Sequence, residues 1–505
     1  MILKRMFVLP AICLALPAGV LAQPFQAERE AIRKHMQANG VPGIAVAVWQ
    51  DGKIVWEEGF GWADMENRIP VNAHSVFNLA SVSKSLTAVG VMTLVEKGKV
   101  NLDGPSNDYL GEDRLRSWIG DPQQVTVRRL LNHTSGLPGG DQTFFGEDMR
   151  NMPSESEAIR RYGIVVAPAG ERYLYSNIGY GVLGHLIAQV SGKSFADYMR
   201  QDVFLPLGMT HSSVEVAPGL EKYEVARYDY DRKRIPAYGG TDQGAGSVYA
   251  SVHDLARMGL FMLKTPLPDQ RAILNDASID RLSEQPADEA SSPVRVAAPN
   301  GTGYAQGWGV STRGSYRVIG HAGSHSGVST NFRLVPSRRV GVAVLANADG
   351  GAGKLTDVLL KSVLKDWQDP APASAPAVQP FKPAAELVGN WQGTVHTYQG
   401  QLPIKLSVQP SGDVHVRIGG EPRFGNRSSV RQEALLNDVK FVNGTLTGNT
   451  LAQIETADTK RHAHVTELRL KLRGDVLNGA ASANSVFEGF WVYSLPHWVE
   501  LTRSP

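Results

Sequence analysis

The stretch Asn78-Leu79-Ala80-Ser81-Val82-Ser83-Lys84-Ser85-Leu86-Thr87-Ala88 decides the reading of this chain. It reads as the end of a loop running into the first turns of a helix. Ser81 stands where an N-cap or first-turn residue belongs, and Leu86, Val89, Val91, Met92, Leu94 and Val95 follow as apolar helix formers. Ser81 and Lys84 are three apart, so on a helix they share a face. The pair sets a nucleophile beside an amine. A hydroxyl attacks poorly until a base takes its proton. A lysine becomes that base when burial lowers its pKa toward neutrality. The N–H groups at a helix start favour an oxyanion at Ser81. A lone Ser-x-x-Lys arises about once by chance in a chain of this length, so its weight depends on what accompanies it.

Two further stretches accompany it. Gly170-Glu171-Arg172-Tyr173-Leu174-Tyr175-Ser176-Asn177 precedes a predicted helix. Tyr175 and Asn177 are two apart in loop or extended backbone and can point into one cleft. A phenol relays a proton if nearby positive charge lowers its pKa. Asn177 donates and accepts hydrogen bonds, which suits a lysine partner or a substrate amide. The other stretch is Ile319-Gly320-His321-Ala322-Gly323-Ser324-His325-Ser326-Gly327, on or beside a strand. Its small residues would let an extended substrate lie along the backbone. The Ser324 N–H can pair with that of Ser81 as an oxyanion hole.

In this order and at these separations the three resemble the serine β-lactamase and penicillin-recognising superfamily. The match is to class C β-lactamases and their relatives, the serine D-peptidases, D-amino-acid amidases and family VIII esterases. Leu130-Leu131-Asn132-His133-Thr134-Ser135-Gly136-Leu137, Pro206-Leu207-Gly208-Met209 and Gly246-Ser247-Val248-Tyr249-Ala250-Ser251 also look like that family. The resemblance covers roughly residues 27–367. It implies Ser81 as nucleophile, Lys84 and Tyr175 as the groups that share the base role, and Asn177, His321, Gly323 and Ser324 as substrate and oxyanion contacts. It does not decide which of Lys84 and Tyr175 takes the proton. It implies no cofactor and no metal. Related enzymes carry Ser-Asp-Asn and Lys-Thr-Gly elements, whereas this chain has Tyr-Ser-Asn and His-Ala-Gly. A mostly neutral His321 holds a β-lactam carboxylate less well than a charged lysine. That favours an esterase or D-peptidase over a β-lactamase.

The rest of the chain sets the frame. Its 505 residues are too many for one core, and 42% hydrophobic with 20% charged residues is ordinary globular composition. Lys4 and Arg5, the apolar run Met6 to Leu16 and Val20-Leu21-Ala22 read as a signal peptide over 1–22, cleaved after Ala22. The apolar run is too short to span a membrane. Cys13, the only cysteine, lies inside it, so the mature chain has no disulfide and no thiol chemistry. The 51 basic residues, less Lys4 and Arg5, balance 49 acidic ones. Nothing points to nucleic acid as a partner. The expected location is periplasmic or secreted, and the expected partner is a small-molecule ester, a D-amino-acid peptide or a β-lactam.

Periodicity predicts strands and helices at both ends of 23–367 that meet in one sheet, and the resemblance implies an α/β (α+β) β-lactamase-like domain whose antiparallel sheet is flanked by helices. Helices are expected at 27–38 and 355–367, and strands at 44–49, 53–60, 307–312, 316–320, 329–335 and 340–345. A helical insertion is expected over about 101–264. Prolines 370, 372, 376, 380 and 383 mark a linker over 368–384. Residues 385–505 read as an all-β domain, a lipocalin-like barrel or a sandwich, with strands at 402–408, 414–418, 439–446, 464–472 and 486–493. Gly389-Asn390-Trp391 resembles the first strand of lipocalin-like barrels, with Trp391 read as a core plug.

Competing motifs fail. Ser191-Gly192-Lys193-Ser194 imitates a P-loop, but Ile187 holds the required upstream glycine position. There is no Gly-x-Ser-x-Gly elbow and no His-Glu-x-x-His. The expected function is a serine hydrolase acting on an ester or amide through an acyl-enzyme on Ser81. The alternative is a penicillin- or cell-wall-binding protein with little or no turnover.

Overall fold

The computed structural model describes residues 24–284, 303–369, 380–420 and 433–504. The expected signal peptide and most of the linker lie outside them. An eight-stranded antiparallel sheet forms the scaffold. Its centre is the strand Gly43–Gln50, which pairs with Lys53–Asp64 on one side and with Val340–Ala346 on the other, Ile44 opposite Ala346. Both ends of the domain therefore meet in one sheet, as the hydrophobic pattern predicts. Every residue from Gly43 to Trp49 is buried because both faces are covered. Ile44, Val46 and Val48 pack with Leu355, Leu359 and Leu360 of the helix Ala352–Val363. Ala45, Ala47 and Trp49 point the other way, into the main core, where Trp49 meets Phe332. The two-residue side-chain period of a strand produces this split.

The nucleophile helix, Ser83–Glu96, is buried on all sides from Ser83 to Leu94. Such a helix must satisfy its polar side chains internally. Ser85 donates to the Gly307 carbonyl at 2.6 Å and Thr87 to the Gly244 carbonyl at 2.7 Å. Both acceptors lie in other segments, so the helix is tied to its surroundings by the residues that make it polar.

The C-terminal strands close into an eight-stranded antiparallel barrel from Gly389–Thr397 to Phe490–Arg503, with Trp391 opposite Arg503 and His396 opposite Trp498. Trp391 is 1% exposed and donates from Nε1 to the Leu387 carbonyl at 2.9 Å, so it plugs the barrel core. Two expected strands are corrected. The run 439–446 is broken by a turn at Asn443-Gly444, both at positive φ, between the strands Glu433–Val442 and Thr445–Thr450. The run 486–493 crosses the Glu488-Gly489 turn between Val476–Phe487 and Phe490–Arg503. In each case an apolar run hides a hairpin turn.

The expected helical insertion also carries strands. Asp141–Phe145 pairs with the barrel's closing strand, Ser494 opposite Asp141, and Tyr238–Gly240 pairs with it in turn. The barrel sheet thus runs on into the first domain. Arg161 reinforces the contact with an ion pair to Asp458 at 2.8 Å. Among the described residues no helix is long and apolar enough to cross a membrane.

Replacing Trp391 by Ala empties the barrel plug and is expected to destabilise the barrel by about 3–5 kcal/mol. Urea unfolding of the full chain checks this; a transition that superimposes on wild type contradicts it.

Candidate active site

Ser81 lies in a single 3-10 turn, Ala80–Val82, ahead of the nucleophile helix. The sequence suggests Ser81 as an N-cap or first-turn residue; it falls in the turn, while Val82 occupies the N-cap position and no side chain caps the helix. The reason is Ala80, whose φ of 45° turns the chain one residue before Ser81. This left-handed conformation is disfavoured for alanine and persists only when neighbours hold it. Asn78 Oδ1 accepts the Ala80 N–H at 2.8 Å, and Thr330 donates to the Leu79 carbonyl at 2.8 Å. The Ser81 hydroxyl is left free of capping duty.

Lys84 is fully buried, and its Nζ lies 3.2 Å from Ser81 Oγ and 3.0 Å from the Ala245 carbonyl. Burial pulls its pKa down to about 7 against the opposing pull of Asp242 and Asp141. The Tyr175 ring centre is 4.9 Å from Lys84 Nζ, and the rise that burial causes in the phenol's pKa is opposed in part by the nearby Ser81 hydroxyl. A phenol that relays protons is expected to have its pKa lowered by nearby positive charge; here burial raises it, with Asp242 and Asp141 adding to the rise. Tyr175 is a neutral phenol at ordinary pH.

His133, inside the His-Thr-Ser-Gly stretch, fixes this phenol. It is buried, accepts the Ser176 N–H at Nδ1 over 3.1 Å, and lies 4.4 Å from the Tyr175 ring and 4.7 Å from that of Tyr304. Ser176 caps the helix Asn177–Ser191 by accepting the Gly179 N–H, which leaves Asn177 uncommitted to the cap. Asn177 does not pair with Lys84. Its Nδ2 donates to Asp141 at 3.2 Å, and its Oδ1 is buried without a partner.

The third stretch reaches the nucleophile through Gly323. A Cβ at that position would lie 2.3 Å from the Leu79 carbonyl oxygen and 3.1 Å from Ala80 Cβ, so only glycine lets the strand Tyr316–His325 approach. Ser324, the next residue, lines the same cleft as Ser81. His321 stands behind Tyr175, its Nε2 3.0 Å from the Tyr304 hydroxyl and its Nδ1 2.7 Å from the Ala322 carbonyl. Nδ1 donates to that carbonyl, so Nε2 accepts from Tyr304. Burial first and Lys84 second hold its pKa down to about 3, and the ring is neutral.

The cleft has a volume of about 750 Å³, and Ser81, Asn177, Asp141, Asp242, Ser324 and Trp491 are among its walls. Sequence reasoning missed three of these. Asp141 follows the Gly139-Gly140 pair and accepts from Trp491 Nε1 at 2.9 Å as well as from Asn177. Burial raises the pKa of Asp141, and raises that of Asp242 well above the carboxylate range. Trp491 comes from the barrel's closing strand. A Gly-Gly-Asp turn after the His133 stretch was a local signal for Asp141; nothing local marks Trp491. Among the described residues no group of three or more His, Cys, Asp or Glu side chains is placed to hold a metal ion. The arrangement sets an alcohol, an amine poised near neutrality and a phenol at one helix tip.

The beta-lactamase family model matches residues 29–364. Penicillin-binding protein 4* of Bacillus subtilis (strain 168) is 29% identical over 348 residues, covering 63% of this chain and 70% of that protein. Protein flp of Staphylococcus aureus (strain N315) is 25% identical over 322 residues, covering 63% of this chain and 61% of that one. The chain thus spans about three-fifths of the length of the flp relatives it matches. The crystal structure of SurE superposes with a TM-score of 0.60 at 21% identity, over 95% of this chain and 99% of SurE, so the likeness of fold takes in the barrel as well. The chain belongs to the beta-lactamase family, a family of serine hydrolases.

Proposed function

We propose that this protein is a secreted serine hydrolase that cleaves an ester or amide through an acyl-enzyme on Ser81. The observation that carries the reading is the buried Lys84 amine, with a pKa of about 7, lying 3.2 Å from Ser81 Oγ. An amine with that pKa is substantially deprotonated at neutral pH and can accept the hydroxyl proton as Oγ attacks the carbonyl carbon. The N–H groups of Ser81 and Ser324 receive the carbonyl oxygen as it becomes negative. Tyr175, a neutral phenol beside Lys84, relays the proton from Lys84 to the leaving group. Water then enters, loses its proton through the same pair, and releases the acid and Ser81.

Neutral His321 supports esters and D-amino-acid amides ahead of β-lactams, because no permanent cation stands where the third motif of related enzymes carries lysine. A second reading, a penicillin-binding protein that acylates with little turnover, is favoured by the name of the Bacillus subtilis relative. Labelled penicillin separates the two: a stable stoichiometric adduct without product supports the second.

Ser81→Ala is expected to abolish fluorophosphonate labelling and to lower turnover of a p-nitrophenyl ester at least about 10⁴-fold. Turnover that survives the substitution places the chemistry elsewhere. The working form of Lys84 is the deprotonated one, so kcat/KM is expected to be low below the Lys84 pKa and to rise through a midpoint near 7. A pH profile that is flat or falling from pH 5 to 8.5 contradicts this assignment of the base.

A further inference from the structure

A second cavity of about 310 Å³ lies behind Tyr175, where the barrel meets the first domain. Gly139 and Ser494 line both this cavity and the main cleft, so the two adjoin. Tyr175 forms part of its wall, and its ring centre lies 4.9 Å from Lys84 Nζ, which itself lies 3.2 Å from Ser81 Oγ, so the cavity adjoins the catalytic pair. Arg172 enters from the first domain, and Arg469 and Glu467 from the barrel.

The charges do not balance. Arg469 pairs with Glu467 at 3.0 Å, and Arg473 takes Glu171. Arg172 is left with Glu171 at 4.0 Å and a 3.5 Å contact to the Thr445 hydroxyl. Its side chain is 21% exposed, and its Nε is buried without a partner. Three guanidinium groups thus share two carboxylates, and the least exposed of the three has the poorest partners. A largely buried cation short of hydrogen-bond acceptors is costly unless an anion joins it. A guanidinium fork suits a carboxylate, and an excess of one positive charge matches a monoanion better than a phosphate dianion.

The geometry points to a carboxylate subsite at Arg172 and Arg469 that seats the leaving group of the substrate. The proposal rests on the hydrolase reading above, in which Tyr175 hands a proton to the leaving group and so fixes the side on which that group lies. The substrate class is then an ester or amide whose departing alcohol or amine carries a carboxylate. The barrel supplies Arg469 and four more of the twelve lining residues, which makes it part of the specificity apparatus.

Two acetyl esters that differ only in the leaving group, phenyl acetate and 3-acetoxybenzoate, test this on the full chain. Wild type is expected to prefer the anionic ester at least about tenfold in kcat/KM, the size of one charge-assisted hydrogen bond. Arg172→Gln is expected to erase that preference, Arg469→Gln to reduce it, and Arg172→Lys to keep more of it than Gln does. The preference is a ratio within one preparation and does not depend on how much of a variant folds. No preference in wild type, or one that persists in Arg172→Gln, overturns the subsite. If wild type hydrolyses neither ester, the hydrolase reading fails, and calorimetric titration with benzoate decides the subsite alone. Binding that weakens at least about tenfold in Arg172→Gln supports it; absent or unchanged binding overturns it.

Discussion

A lysine amine held away from water beside a serine hydroxyl is the constraint on which the rest of this structure depends. Moving Lys84 from a pKa of 10.5 to about 7 corresponds to roughly 5 kcal/mol of preference for the neutral form. Burial does this here, and the nucleophile helix supplies it by being buried on every side through Leu94. The opposing pull of Asp141 and Asp242 stops the pKa from falling further. Those two carboxyl groups are themselves pushed toward the protonated form by burial, so amine and acids set one another's charge.

The barrel reaches this balance directly. Its closing strand pairs with Asp141–Phe145, and Trp491 donates to the carboxylate that also receives Asn177. With its N–H turned to Asp141, Asn177 keeps Oδ1 free. The carboxylate that orients this cleft amide is itself held by a hydrogen bond joining residues 350 apart in the chain. The C-terminal domain is built into the wall of the cleft, and its ladder of strands continues into the first domain without a break.

Local features of the site were legible in the sequence. Ser81 and Lys84 share a face because they are three apart in sequence; the small residues around Gly323 read as room for a substrate, whereas the Gly323 position itself lets the strand approach Leu79 and Ala80. The central strand was legible because its apolar run, Ile44 to Trp49, is flanked by turn signals. What failed did so for physical reasons. The N-cap alternative for Ser81 gave way to the first-turn one, because the left-handed Ala80, held by its neighbour Asn78 and by Thr330 from a distant strand, turns the chain just before it. The Asn443-Gly444 turn was visible but masked by apolar residues on both sides. The direction of the Tyr175 shift depends on burial and on Asp141 and Asp242, none of which a local pattern reveals. Trp491 and the arginines of the second cavity come together only through the docking of two domains.

Direct titration of Lys84 tests the account at its root. With ¹³C-labelled lysine and Lys84→Arg to assign the signal, the Lys84 Cε resonance is expected to titrate near pH 7, apart from the other lysines. A Lys84 signal that titrates above pH 10 with the rest would contradict the buried-amine mechanism.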